Sequence, residues 1–230
     1  MRVWFIHHSS FLVETASRYL LFDYVKGQLP QLDPQKPLWV FASHRHGDHF
    51  SEGVFELEER CADIRYVLSD DIFRRRVPDR LKDRTVMIGP DQDIRLEGMR
   101  IETLPSTDVG VAFLLTVDEA AVYHAGDLND WYWEGEPPRD NERMTKDYEA
   151  QIQKLRERKV DLAFVVLDPR QGQHYDRGIR YFLEHVQAER VFPMHCWEDR
   201  AIVTRLKDEA WIQPYRERIF EIPAGNPISW

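Results

Sequence analysis

Four side chains able to ligate a metal fall within six residues, His44-Arg45-His46-Gly47-Asp48-His49. Imidazole and carboxylate are the donors from which zinc, manganese and iron sites are built. The run follows directly on an apolar stretch, Leu38-Trp39-Val40-Phe41-Ala42-Ser43. Residues two apart in extended backbone face the same way, which predicts that His44 and His46 grip one ion together. Gly47 permits a tight reversal, after which Asp48 and His49 face a second ion. The chemistry of such a centre is hydrolysis, because a metal ion lowers the pKa of its water ligand and polarises a carbonyl or phosphoryl oxygen. A solvated basic loop also holds histidines, but not at this density directly after a buried strand.

Two later apolar runs end on further donors, Tyr123-His124-Ala125-Gly126-Asp127-Leu128-Asn129 and Val191-Phe192-Pro193-Met194-His195. The chain opens with His8-Ser9-Ser10-Phe11-Leu12-Val13-Glu14, followed by Leu20-Leu21-Phe22-Asp23. With these stretches in this order, the chain resembles the metallo-β-lactamase superfamily, whose signature is His-x-His-x-Asp-His. It is similar to the branch of metal-dependent hydrolases that includes the ascorbate-6-phosphate lactonases. The resemblance implies an α/β fold, a four-layer αββα sandwich with the site where strand-end loops converge. It implies that His44 and His46 hold a first metal, that Asp48, His49 and His195 hold a second, and that Asp127 bridges them. Catalysis would fall to Asp48 and Asp127, which orient a metal-bound hydroxide. The implied substrate is a small anionic ester or lactone, phosphorylated or not. A phosphodiesterase or nuclease of the same fold, and a non-catalytic metal-binding descendant, stand as alternatives.

The chain departs from the family pattern at one ligand. A third histidine usually reaches the first metal from a loop that here reads Leu104-Pro105-Ser106-Thr107-Asp108-Val109-Gly110. Ser106 takes that histidine's place, and a hydroxyl is a poor zinc ligand. Three arrangements remain open: a full pair of ions with Asp108 substituting, an asymmetric pair, or one ion on Asp48, His49, Asp127 and His195. The asymmetric pair is favoured, and Asp108 could equally be a turn residue or a hydrogen-bond acceptor behind a histidine. His8 is expected behind the ligands or against substrate, and His7 on the opposite face. His124 reads as a packed strand-end histidine and Cys196 as buried packing. Arg170, after the apolar run 165–167, is weighed evenly between a substrate contact and a surface salt bridge.

These donors must be positioned by short strands and helices. Strands are expected at 3–7, 11–14, 19–22, 38–43, 66–68, 86–88, 100–104, 111–117, 120–124, 162–167 and 190–193. Ser51 is a plausible N-cap for a helix through about residue 60. Tyr148, Ile152 and Leu155 recur at helical spacing and predict a helix over 146–158, with others at 177–185 and 199–210. The long polar connection after Gly126, with Trp131, Trp133, Pro137 and Pro138, is expected to be functional or mobile. Mixed strands and helices favour a layered architecture. With no Gly/Ser/Pro linker, residues 1–230 are expected to form a single domain.

Composition narrows the function. The 43% hydrophobic share supports a sizeable core. A net charge of −9 argues against nucleic acid and for a small-molecule substrate. The one dense basic run, Arg74-Arg75-Arg76, reads as a solvated helix face. No apolar stretch reaches the 18 or so residues of a membrane span. The N-terminus reads as a first strand and the 2 cysteines are too few for a disulfide framework, so a cytoplasmic protein is expected. The expected cofactor is one or two divalent ions, zinc, manganese or iron. The sequence does not indicate an oligomeric state.

Overall fold

The computed structural model describes residues 1–221 and 226–230. Strands β1 (Arg2–His7), β2 (Ser10–Glu14) and β3 (Tyr19–Phe22) form an antiparallel meander. Strands β4 (Leu38–Ala42), β5 (Ile64–Ser69) and β6 (Thr85–Ile88) then add in parallel. A second meander contains β7 (Asp93–Leu96), β8 (Met99–Pro105), β9 (Val111–Val117) and β10 (Ala120–His124). Helix α1 (Pro138–Gln153) leads through β11 (Lys159–Val160) to β12 (Leu162–Val166), and α2 (Arg177–His185) leads through β13 (Gln187–Ala188) to β14 (Val191–Met194). Helix α3 (Ala201–Asp208) follows, and β15 (Ile228–Ser229) returns to pair with β1. One sheet has the order β15-β1-β2-β3-β4-β5-β6 and the other β14-β12-β10-β9-β8-β7.

Period-two alternation divides the first sheet between two cores. Phe11, Val13, Leu20, Phe22, Trp39 and Phe41 pack in the same core as the second sheet's strands. Their neighbours Leu12, Leu21, Leu38, Val40 and Ala42 pack under the outer connections. Burial on both faces is why β2, β3 and β4 read as nearly continuous apolar runs. The second sheet is covered by α1 through Tyr148 and Ile152, by α2 through Ile179 and Phe182, and by α3 through Ile202 and Leu206.

The outer layer on the first sheet departs from the expected α-helix. It is built of 3-10 segments, Glu52–Glu59, Arg74–Arg76 and Asp79–Arg84. Val54 and Leu57, three apart, both face inward, the spacing that a three-residue turn eclipses. Ser51 does cap the first segment, accepting from Gly53 N. Helix α1 starts at Pro138, well before residue 146, since proline suits the first helical turn and its fixed φ initiates rather than delays the helix. Helix α3 is shorter than the expected 199–210. Strand β7, which the sequence reading lacks, is joined to β8 by Glu97-Gly98, both at positive φ, the backbone of a tight hairpin turn.

Candidate metal centre

The site gathers at strand ends. His44, His46, Asp48 and His49 follow β4, Asp127 follows β10, His195 follows β14, His8 follows β1, and Asp108 lies in the turn between β8 and β9. The chain does not stay extended after Ala42. It bends, and His49 N and Phe50 N both donate to His46 O, at 3.0 and 2.8 Å. This turn, not a continued strand, brings the His44 and His46 rings to 4.7 Å. Two glycines close the site around Ser43. A Cβ on Gly110, at φ +74°, would sit 2.1 Å from Ser43 O, and one on Gly126, at φ +53°, would sit 2.7 Å from Ser43 Cβ.

Two donor groups result. In one, ligand atoms of His44, His46, Asp108 and Asp127 all lie within 4.8 Å of one another; in the other, those of His8, Asp48, His49 and His195 do. Asp127 links them: its Oδ1 lies 3.1 Å from His49 Nε2 and 3.4 Å from His195 Nε2, while its Oδ2 lies 3.5 Å from His44 Nε2. Asp48 Oδ2 lies 3.5 Å from His8 Nε2 and 3.8 Å from His195 Nε2. Asp108 Oδ2 lies 3.3 Å from His46 Nδ1. Ser106 Oγ accepts from Asp108 N at 3.1 Å. His8 thus stands among the ligand atoms rather than behind them.

The far sides of the rings are anchored. His49 Nδ1 donates to Asp23 Oδ2 at 2.7 Å, and His195 Nδ1 donates to Asp168 Oδ2 at 3.0 Å. Ser43 Oγ donates to Asp23 Oδ2 at 2.7 Å, so its lone pairs face His44 Nδ1 at 3.0 Å. Each anchor fixes a tautomer whose bare nitrogen is Nε2. Those Nε2 atoms, with His8 Nε2 and Asp127 Oδ1, are buried and have no hydrogen-bond partner. Orphaned buried polar atoms are costly, and here they converge with carboxylates. The donor set fits one or two divalent cations.

Electrostatics follow the same geometry. Burial, helped by the neighbouring His49, lowers the His44 pKa to about 4. At His49 burial is outweighed by the carboxylates of Asp127 and Asp23, which favour positive charge and raise its pKa well above the ordinary value, as they would equally favour a cation bound at its Nε2. Asp127 is pulled far down against its own burial by His49, His195 and His44. Asp48 is held low first by the neighbouring His8 imidazole, 3.5 Å away. Asp108 is raised by burial and by the negative charge of Asp127.

Asp23 and Asp168 are the residues that sequence reasoning missed as anchors. Their signal was faint: each is a lone carboxylate ending a strand, 26 and 27 residues from the histidine it holds. Backbone strain marks the same places. Asp23, His8, His195 and Trp197 have φ of 44°, 50°, 64° and 52°, a region that costs most residues energy. His7 ends β1 after a bulge between Phe5 and His7, and among the described residues it is in neither donor group. His124 is packed as expected: it stacks on Phe22 at 4.8 Å, its Nε2 donates to Ser9 O, and Gly126 N donates to its Nδ1. Cys196 is buried in the core.

A cavity of about 340 Å³ opens over the centre, lined by His46, Asp48, Asp108, Trp131, Trp133 and Arg170 among others. Arg170 Nε and Nη2 bond Asp168, and the side chain borders the cavity. The connection after Gly126 is pinned: Thr107 Oγ1 donates to Asn129 O at 2.6 Å, and Arg177 Nε donates to Asp130 Oδ2 at 2.9 Å.

The sequence pattern of the β-lactamase superfamily domain matches residues 2–132. The chain belongs to the metallo-β-lactamase superfamily. Two curated relatives named metal-dependent hydrolases are each 28% identical to it. The one from Pyrobaculum calidifontis aligns over 141 residues, 55% of this chain and 61% of that protein. The one from Korarchaeum cryptofilum aligns over 149 residues, 57% and 62%. The match thus spans about three fifths of the length of these relatives. Igni18, a metallo hydrolase from Ignicoccus hospitalis, shares the fold with a TM-score of 0.68 at 17% identity, over 99% of this chain and 97% of that one. Among the described residues no helix is long and apolar enough to cross a membrane.

Proposed function

We propose that the protein is a metal-dependent hydrolase of a small anionic ester or lactone, with residues 1–230 working as one domain. The observation that carries this reading is the set of bare, buried Nε2 atoms on His44, His49 and His195, each aimed by an anchored Nδ1. In this reading His44, His46, Asp108 and Asp127 form one ligand set, and His8, Asp48, His49 and His195 the other, with Asp127 shared. Bound there, divalent ions supply Lewis acidity and an activated water.

The protein's own residues would do the rest. Asp48 turns Oδ2 towards the histidines and borders the cavity, so its other oxygen would accept a hydrogen bond from the attacking water and orient it. Its depressed pKa keeps it an acceptor. Trp131 and Trp133, stacked at 5.9 Å, wall off solvent. Arg170, held at Nε and Nη2 by Asp168, keeps Nη1 for a substrate oxygen. The charge of −9 counts against a nuclease. The two free buried cysteines suit a reducing compartment such as the cytoplasm.

Metal analysis of the purified protein, joined to a panel of lactones, carboxylic esters, thioesters and phosphodiesters, tests the reading. Stoichiometric zinc, manganese or iron with ester or lactone turnover that His49→Ala abolishes is the expected result. Bound metal with no turnover of any class would overturn the hydrolase and favour a metal-binding descendant.

A further inference from the structure

A second and larger cavity, about 580 Å³, shares Asp48 with the first. Its walls are apolar at Phe5, Ile6, Val25 and Trp197 and cationic at Lys26 and Arg200. Trp197 is 44% exposed, unusual for an indole, and its ring stands 4.7 Å from the His8 ring. It forms a wall between the metal-facing His8 and the open cavity. Neither Lys26 nor Arg200 has a carboxylate within 4 Å among the described residues. Arg170, by contrast, has its charge answered by Asp168. The walls also carry two carboxylates, Glu198 and Asp48, of which Asp48 faces His8 and His195 at the centre.

We propose that this cavity is a substrate-binding subsite for a carboxylate or phosphate carried on an aliphatic stem. The stem lies along Phe5, Ile6 and Trp197, the anion meets Lys26 and Arg200, and the stem's other end reaches Asp48 at the centre. The proposal rests on the hydrolase reading in assigning this ligand to the substrate, and it narrows the substrate to an ester or lactone with a remote anion. Unpaired cations beside apolar surface recognise such an ion without first having to break a salt bridge.

Hexyl phosphate and hexanol are suitable probes, titrated calorimetrically into the protein as purified. Hexyl phosphate is expected to bind and hexanol to bind at least tenfold more weakly. Lys26→Gln and Arg200→Gln should each weaken hexyl phosphate about tenfold, with unchanged melting temperatures because both side chains are exposed. Glu198→Gln should tighten it. If hexyl phosphate binds Lys26→Gln/Arg200→Gln as well as the parent, the anion sits on the metal centre and the subsite is overturned. Binding that depends on the two cations, in a protein that turns over no ester, would instead sink the hydrolase and leave the subsite standing.

Discussion

Asp23 Oδ2 accepts from both His49 Nδ1 and Ser43 Oγ at 2.7 Å, so one buried carboxylate orients two of the candidate ligand rings, His49 directly and His44 through Ser43. An amide cannot replace it, because its NH₂ would face either the His49 Nδ1 and Ser43 Oγ donors or, turned over, Ser43 N, which donates to Asp23 Oδ1 at 2.7 Å. Asp23→Asn should therefore lower metal affinity about 10–100-fold while the fold persists. A competition titration against a fluorescent chelator measures this. Parental affinity in a folded Asp23→Asn protein would mean that the rings hold their aim without the carboxylate.

Asp108 brings a carboxylate oxygen within 4.8 Å of ligand atoms of His44, His46 and Asp127. Asp108→Ala should reduce the metal bound per chain, and Asp108→His should retain it. Ser106→His should leave metal content unchanged, because Ser106 Oγ serves the turn by accepting from Asp108 N. Elemental analysis after dialysis against trace metal separates the three variants. A gain of metal in Ser106→His would return the missing-histidine position to Ser106.

Legibility in the sequence tracked how locally each feature is encoded. The turn of His44, His46, Asp48 and His49 could be read because four donors share six residues. Asp127 and His195 were legible through the apolar strands that precede them. The anchors Asp23 and Asp168 were not, since a single carboxylate carries no pattern and its partner is set by the sheets' stacking. The 3-10 layer escaped because apolar residues three apart suit an α-helix as well as the tighter turn. The start of α1 was hidden by its polar first turns, where two prolines read as loop.

Glu14 ties β1 to the loop before β4, bonding Arg2 and, at 2.8 Å, Lys36. Its burial would raise its pKa, but Lys36 and then Arg2 outweigh it and lower it below the ordinary value. A depressed folded-state pKa means the unfolded chain binds the proton more readily. The stabilisation is therefore complete above the unfolded pKa and is lost as pH falls through the folded one. Glu14→Gln should cost about 1 kcal/mol at pH 7, and the gap should close in acid. Urea melts at pH 7 and at pH values below the ordinary carboxylate range would show this; a constant difference between the two would remove the ion pair as its source.

Gly110 and Gly98 share a positive φ, +74° and +80°, but not their surroundings. A Cβ on Gly98 meets nothing within 4 Å, whereas one on Gly110 lies 2.1 Å from Ser43 O and 2.5 Å from His44 Cβ. Gly98→Ala should thus cost only the left-handed strain, about 1 kcal/mol. Gly110→Ala must also push the Ser43–His44 backbone away from Asp23, which unseats the His44 and His49 rings together. We expect it to lose several-fold more stability than Gly98→Ala and, where it still folds, to bind metal weakly. Paired melts with and without added zinc read both effects, since metal bound to the folded state raises the midpoint. Equal melts and equal zinc shifts for the two variants would show that the turn at Gly110 yields without disturbing the histidines.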